Sequence, residues 1–227
     1  MRTHKVFETK EDWKSFRRGL FTSSEISRLL AEPKAKADKE SGKLSDGAMT
    51  YIRERIAVLL APEEPQYYNS QMEHGNETEP QAVMAYATKI GKSVNDEDFI
   101  YTSVGGFVFF TDEEYNAGGT PDIIIGKTIV EVKCPASKTH LEYLMFKNVE
   151  DFQKSCPNYY AQMQMNMWLC DAESGVFVSY DDRYYNESHH LFTLDIPRDG
   201  VFIENLKSKL AKAKEIKDEI LKRYEPK

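Results

Sequence analysis

The sequence predicts an α/β fold with a mixed central β-sheet flanked by helices. Three observations predict it. Residues 121–133 (PDIIIGKTIVEVK) read as two short strands joined by a two-residue turn. The residues around that turn, Ile123, Ile124, Ile125, Ile129, Val130 and Val132, are apolar on both faces, as in a central strand covered by helices on each side. Along the chain, helical segments, a strand meander, helices, strands and a last helix follow one another, the order of one α/β domain.

Residues 11–18 and 22–31 look helical. Thr22 and Glu25 stand at capping-box spacing. Glu32–Gly47 is polar, lysine-rich and turn-forming, which predicts a loop. An amphipathic helix follows over 48–61 and ends at Pro62. The next helix covers roughly 75–90 and stops near Gly91. Strands are expected at about 99–110, 121–125 and 128–133, then helices at about 137–147 and 158–171. Strands at about 175–180 and 190–195 complete the sheet. Residues 200–223 carry Val201, Ile203, Leu206, Leu210, Ile216 and Ile220 at helical spacing. A chain of 227 residues fits one large domain or two small ones. The expected division is a single domain over 1–227, with N-terminal helices at 11–62, a core at 71–195 and a C-terminal helix at 200–223.

Composition is that of a soluble globular protein, 41% hydrophobic and 30% charged. No apolar run reaches the length of a membrane span, and the N-terminus does not resemble a signal peptide. Cys134, Cys156 and Cys170 form no CxxC pair, which suits reduced thiols in a cytoplasm and cannot supply a four-thiolate iron–sulfur cluster. A net charge of −7 argues mildly against a protein that coats nucleic acid, but leaves room for a local basic surface. The histidines lack HExxH spacing, and there is no phosphate loop, GxGxxG or GxSxG.

The chemistry concentrates at the 121–133 hairpin. If Ile125 pairs with Thr128 across Gly126 and Lys127, a II′ turn, Asp122 falls opposite Glu131, with Cβ atoms roughly 4.5–5.5 Å apart. Lys133 points to the same face as Glu131. Two acids and a lysine on a buried hairpin suit a divalent metal and an activated water. A salt-bridged strand pair, Asp122 or Glu131 with Lys133, explains the same pattern. Glu79 sits in HGNETEPQAVMAYA, where it reads equally as a helix-dipole acid, and Glu77 is as good an acid by composition. Gln162 lies in NYYAQMQMNMW beside a core face of Tyr159, Met163, Met167 and Cys170; solvated glutamines are the plainer reading. Arg17, Thr22 and Ser24 surround a helix start, a recipe for holding phosphate that ordinary capping also explains.

Four segments, WKSFRRGLFTSSE, HGNETEPQA, GGTPDIII…TIVEVKCP and YYAQMQMNMW, occur in the order of the lambda-type phage exonucleases. The chain resembles this family, within the PD-(D/E)xK nuclease superfamily, from about residue 11 to 180. The resemblance implies a PD-(D/E)xK nuclease core and 5′→3′ exonuclease action on double-stranded DNA. It implies Asp122, Glu131 and the Val132 carbonyl as ligands of Mg²⁺, with Mn²⁺ as substitute and two ions per site. Lys133 then orients or deprotonates the attacking water, and Glu79 and Gln162 are further active-site groups. Arg17, Thr22, Ser24 and Thr120 match a 5′-phosphate pocket. Where the family can place an arginine, Lys138 stands instead. Met72 occupies the place of an apolar wedge. Family members commonly form a homotrimeric ring around DNA and work beside a single-strand annealing protein in a bacterial or phage-infected cytoplasm. The alternatives are a restriction or repair endonuclease of the same superfamily and a non-catalytic DNA-binding relative.

Overall fold

A computed structural model describes residues 2–62, 70–104 and 106–224, apart from the side chains of 70–72. The side chain of Met72, the expected wedge, lies outside this description. The described residues form two β-sheets with helices around them, where one sheet was expected.

The first sheet has the order β1-β4-β5-β2. It opens with β1 (Arg2–Phe7), where no strand is predicted, an exposed edge paired antiparallel to β4 (Phe107–Asp112). Helix α1 (Lys10–Phe16) starts at Thr9, whose hydroxyl accepts a hydrogen bond from the Asp12 amide. It packs Trp13 and Phe16 edge-on against buried Phe109 of β4. Strand β2 (Phe21–Thr22) runs parallel to β5 (Ala117–Gly119).

The helix predicted over 22–31 is a 3₁₀ turn at Ser23–Glu25 followed by the short α2 (Ser27–Leu30). The capping box does not form: Thr22 precedes the turn but its side chain makes no capping bond. Thr22 belongs to β2, its amide donates to the Tyr51 hydroxyl at 3.0 Å, and its own hydroxyl lies 3.4 Å from that of Ser24. The predicted loop at 32–47 contains a helix, α3 (Lys36–Glu40). Helix α4 (Asp46–Leu60) begins two residues early because the Ser45 hydroxyl accepts from the Ala48 amide.

Helix α5 (Ser70–Lys89) leads to the second sheet, of order β3-β6-β7-β8-β9. The strand predicted at 99–110 divides into β3 (Phe99–Tyr101), in this sheet, and β4, in the other. Thr102, Ser103 and the glycine-containing stretch after them interrupt the alternation and let the chain cross between sheets. Thr102 anchors the crossing, its hydroxyl donating to the Pro121 carbonyl at 2.6 Å.

The hairpin of β6 (Ile123–Ile125) and β7 (Thr128–Lys133) has the expected register, with Ile125 opposite Thr128. Gly126 has φ +57° and Lys127 is not among the positive-φ residues, as a II′ turn requires. Helix α6 (Ser137–Leu144) follows, and α7 (Val149–Ser155), capped by Asn148, lies where no helix is predicted. Helix α8 (Pro157–Leu169) is buried from Tyr160 to Leu169. The solvated-glutamine reading fails there, because the helix is enclosed between the second sheet, α9 and the turn at Ser23–Glu25. Strand β8 (Ser174–Tyr180) runs parallel to β7, β9 (Leu191–Pro197) returns antiparallel, and α9 (Gly200–Leu221) closes the described fold on α4. Phe21, Ile26, Tyr51, Met165, Trp168 and Leu206 share the core beneath α8 and α9. Among the described residues no helix is long and apolar enough to cross a membrane.

Candidate active site

Asp122 lies one residue beyond the end of the β6–β7 ladder. Its amide donates to the Val130 carbonyl at 3.1 Å, and its Oδ2 accepts from the Val132 amide at 2.6 Å. The carboxylate is thereby turned onto the end of β7, beside Glu131 and Lys133. Glu131 is 1% exposed. Lys133 Nζ donates to Glu131 Oε1 at 2.5 Å, and Gln162 Nε2 donates to the same oxygen. Asn166 Nδ2 stands 3.5 Å from Oε2. Lys133 also lies over the Tyr159 ring, 5.2 Å from its centroid. From α5, Glu79 joins the group and accepts a 2.8 Å hydrogen bond from the Tyr101 hydroxyl. Glu77 is exposed, which separates the two acids that composition leaves equal.

The electrostatics follow from burial. Burial first, then the Asp122 charge, push the Glu131 carboxyl up to about 8, against the pull of Lys133. Burial raises Asp122 despite Lys133 and the Val132 amide. Burial and Asp122 raise Glu79. For Lys133 burial acts downward, but Glu131 and Asp122 outweigh it and hold the ammonium above its ordinary pKa. Burial and the charges of Glu79 and Asp122 push the Cys134 thiol up to about 12, which keeps it protonated. Three carboxyls thus crowd one ammonium. Among the described residues no three His, Cys, Asp or Glu side chains form a ready metal cage. A few hard oxygens short of positive charge nevertheless fit a divalent cation that completes its shell with carbonyl and water.

Glu79, Lys133 and Gln162 line a cavity of about 780 Å³, with Ser24, His74 and Arg183 among its other walls, while Glu131 is buried behind Lys133 and Gln162. A recess of about 320 Å³ adjoins the cavity, sharing Asn76 and Glu79 and carrying Trp13 and Thr120 on its walls. A larger hollow, about 1010 Å³, lies by α7 and the start of α9 and contains none of the predicted site residues.

The predicted phosphate residues are brought together only in part. Ser24 lines the main cavity with buried Thr22 behind it. The Arg17 guanidinium stacks 4.4 Å from the ring centroid of Trp13, which lines the recess. Thr120 lines the recess and donates to the Val108 carbonyl at 2.7 Å. Lys138 is exposed and lines neither space, whereas its neighbour Thr139 does line the cavity.

Several residues in and behind the cavity escaped sequence reasoning. Asn166 is one helical turn beyond Gln162, a spacing that could have revealed it. Its Oδ1 is buried without a partner among the described residues, as is His74 Nε2. Arg183 carries no local signal. It is held at the cavity by fully buried Asp181, at 2.6 Å from Nε, and by the Pro135 carbonyl. Although burial opposes it, Arg183 keeps the Asp181 carboxyl down at about 2.

Two mixed-sheet layers flanked by helices, with an acid–acid–lysine hairpin facing a cavity, define a PD-(D/E)xK-type nuclease, a phosphodiester hydrolase. The chain belongs to the YqaJ-like viral recombinase domain family, which it matches over residues 12–173; this is the lambda exonuclease type. It is similar to the alkaline exonuclease LHK-Exo of Laribacter hongkongensis, at 27% identity over 95% of this chain and 97% of that one, with a TM-score of 0.69. The same enzyme in complex with dAMP matches at 26% identity over the same shares, with a TM-score of 0.70. A phage-related exonuclease from Haemophilus somnus 129PT shares the fold, at 24% identity over 90% of this chain and 96% of that one, with a TM-score of 0.67. No curated protein matches the sequence significantly.

Proposed function

We propose that the protein is a Mg²⁺-dependent exonuclease that degrades one strand of double-stranded DNA 5′→3′ from 5′-phosphorylated ends. The 3′ overhangs it leaves would serve recombination by single-strand annealing. The observation that carries this reading is the convergence on buried Glu131, beside Asp122, of Lys133 and Gln162, which line one cavity with Ser24. The dAMP bound to the Laribacter exonuclease agrees with stepwise release of mononucleotides.

Asp122, Glu131 and the Val132 carbonyl would hold Mg²⁺, with Mn²⁺ as substitute and two ions per site. When bound, the cation acts as a Lewis acid on the scissile phosphate and acidifies water. Lys133, held against Glu131, would orient or deprotonate the attacking water and offset phosphate charge. Gln162 fixes the rotamer of Glu131. Glu79, raised by its surroundings, is suited to take the proton that attack releases. Arg17, Thr22, Ser24 and Thr120, with exposed Lys138 adding charge from outside the two spaces, would receive the 5′-phosphate and set the direction of travel. Three copies in a ring would keep an acidic protein on DNA, because leaving then requires unthreading. A single-strand annealing protein is the expected partner, in a cytoplasm.

The test is digestion of linear duplex with 5′-phosphate or 5′-hydroxyl ends, and of closed circles, with Mg²⁺. Mononucleotides should appear from the phosphorylated linear DNA, slowly from the hydroxyl form and not with Lys133→Ala. Cleavage of closed circles would overturn the exonuclease reading in favour of an endonuclease.

A further inference from the structure

Arg17, Thr22 and Ser24 lie on one short stretch of chain between α1 and α2. Local structure does little to fix that stretch. Strand β2 is two residues long, and the turn after it has no side-chain cap. Its order comes from distant parts of the chain. The Gly19 carbonyl, between Arg17 and Thr22, accepts two hydrogen bonds. Lys217 Nζ of α9 donates at 2.6 Å, and Asn116 Nδ2, between β4 and β5, donates at 3.1 Å. The Phe21 amide donates back to the Asn116 carbonyl at 3.0 Å. The Thr22 amide is held by Tyr51 of α4.

Lys217 is the unusual member of this group. It is 5% exposed, and its hydrogen bond goes to a neutral carbonyl rather than to a carboxylate. Burying an ammonium against a neutral partner is costly, and an apolar side chain would fill the same core without that cost. Packing alone therefore does not account for a lysine here. A charged donor holds a carbonyl more firmly than a neutral one does. The ammonium also lies 5.8 Å from the ring centroid of Phe21, which puts positive charge beside the residue that precedes Thr22.

We propose that Lys217 is a positioning residue for the 5′-phosphate site. With Asn116 it fixes the Gly19 carbonyl, and so sets Arg17 on one side relative to Thr22 and Ser24 on the other. Lys217 lines neither the main cavity nor the recess, so it acts through this backbone and not by touching DNA. This rests on the 5′-phosphate reading above and adds to it the means by which the last described helix governs recognition of the DNA end.

The test is the ratio of kcat/KM on linear duplex with 5′-phosphate ends to that with 5′-hydroxyl ends, with Mg²⁺ near neutral pH. It compares the unsubstituted protein with Lys217→Met and Asn116→Gly. Lys217→Met removes the first donor and keeps an unbranched side chain. Asn116→Gly removes the second and keeps the backbone, because Asn116 has φ +51°, which glycine adopts freely. Each should lower the ratio by about 5- to 100-fold, chiefly through KM on phosphorylated ends, as for a binding group moved out of place. A merely structural loss would lower both rates alike and leave the ratio where it was. Melting curves identify the folded variants. An unchanged ratio in folded Lys217→Met, or in Asn116→Gly where Lys217→Met does not fold, overturns the positioning role. The unsubstituted protein separates the two failures. No digestion, or a ratio near one, removes the 5′-phosphate reading and this inference with it, whereas a high ratio that survives in the variants removes the inference alone.

Discussion

Gln162 and Lys133 place their nitrogens on one and the same oxygen of Glu131, Oε1. Oε2 is left facing Asn166 at 3.5 Å, a long contact. The two donors are not equivalent: one brings charge to the cavity, the other only orientation.

Lys133→Ala should therefore cost about 100-fold or more in rate on 5′-phosphorylated linear duplex, within the range for removing a positioned charge from an active site. Gln162→Ala should cost less, about 10-fold, since Lys133 still holds the shared oxygen. Initial rates at saturating Mg²⁺ check this. Equal losses would contradict the division of roles.

Glu131 makes metal-free stability pH-dependent. Its folded pKa, about 8, lies above the ordinary 4.5, so below 4.5 its proton is bound in both states. Between 4.5 and 8 the folded state holds the proton more tightly, and stability falls as pH rises through that window. Glu131→Gln mimics the protonated form. In chelator at pH 8.5 it should exceed the unsubstituted protein by on the order of 1–3 kcal/mol, while losing activity. At pH 4.5 the two should unfold alike in urea; a constant gap at both pH values would refute the assignment.

Gly119 is required by a close approach. A Cβ there would lie 2.4 Å from both Asn166 Oδ1 and Ser23 Oγ. Gly119→Ala should cost about 1–3 kcal/mol and displace Asn166 from Glu131, lowering the rate as well. Gly75→Ala, where an added Cβ meets nothing within 4 Å, should instead stabilise the helix by up to about 1 kcal/mol. Urea midpoints of the two variants should move in opposite directions.

Lys217 is buried on α9, and its Nζ donates to the Gly19 carbonyl at 2.6 Å. Burial lowers its pKa to about 8. Between about 8 and 10.5 the unfolded chain keeps a proton that the folded protein releases, so stability rises with pH across that window. Relative to Lys217→Met, the unsubstituted protein should gain on the order of 3 kcal/mol from pH 7.5 to 10.5. Parallel pH profiles would show that the amine does not titrate there.

The hairpin was legible because its information is local. Ile125, Gly126, Lys127 and Thr128 set the register, and alternation then places Glu131 and Lys133 on one face. Gln162 was harder to read, since its burial depends on a helix enclosed by elements distant in sequence. Arg183 was invisible, being tied to the cavity by Asp181 and by Pro135 some fifty residues earlier. The division of 99–110 between two sheets was missed for a related reason. Apolar alternation shows that strands exist, but not which sheet each one joins.

The site draws on residues far apart along the chain: Glu79 from α5, the hairpin at 122–133, and Gln162 and Asn166 from α8. During synthesis, residues 1–133 would contain every acid and the lysine, yet Glu131 would lack the amides that fix it. Only when α8 has emerged and packed does the carboxylate gain its orientation. A partly made chain thus holds the reactive groups but not the scaffold that aims them, so competence to cut arrives late in the order of translation.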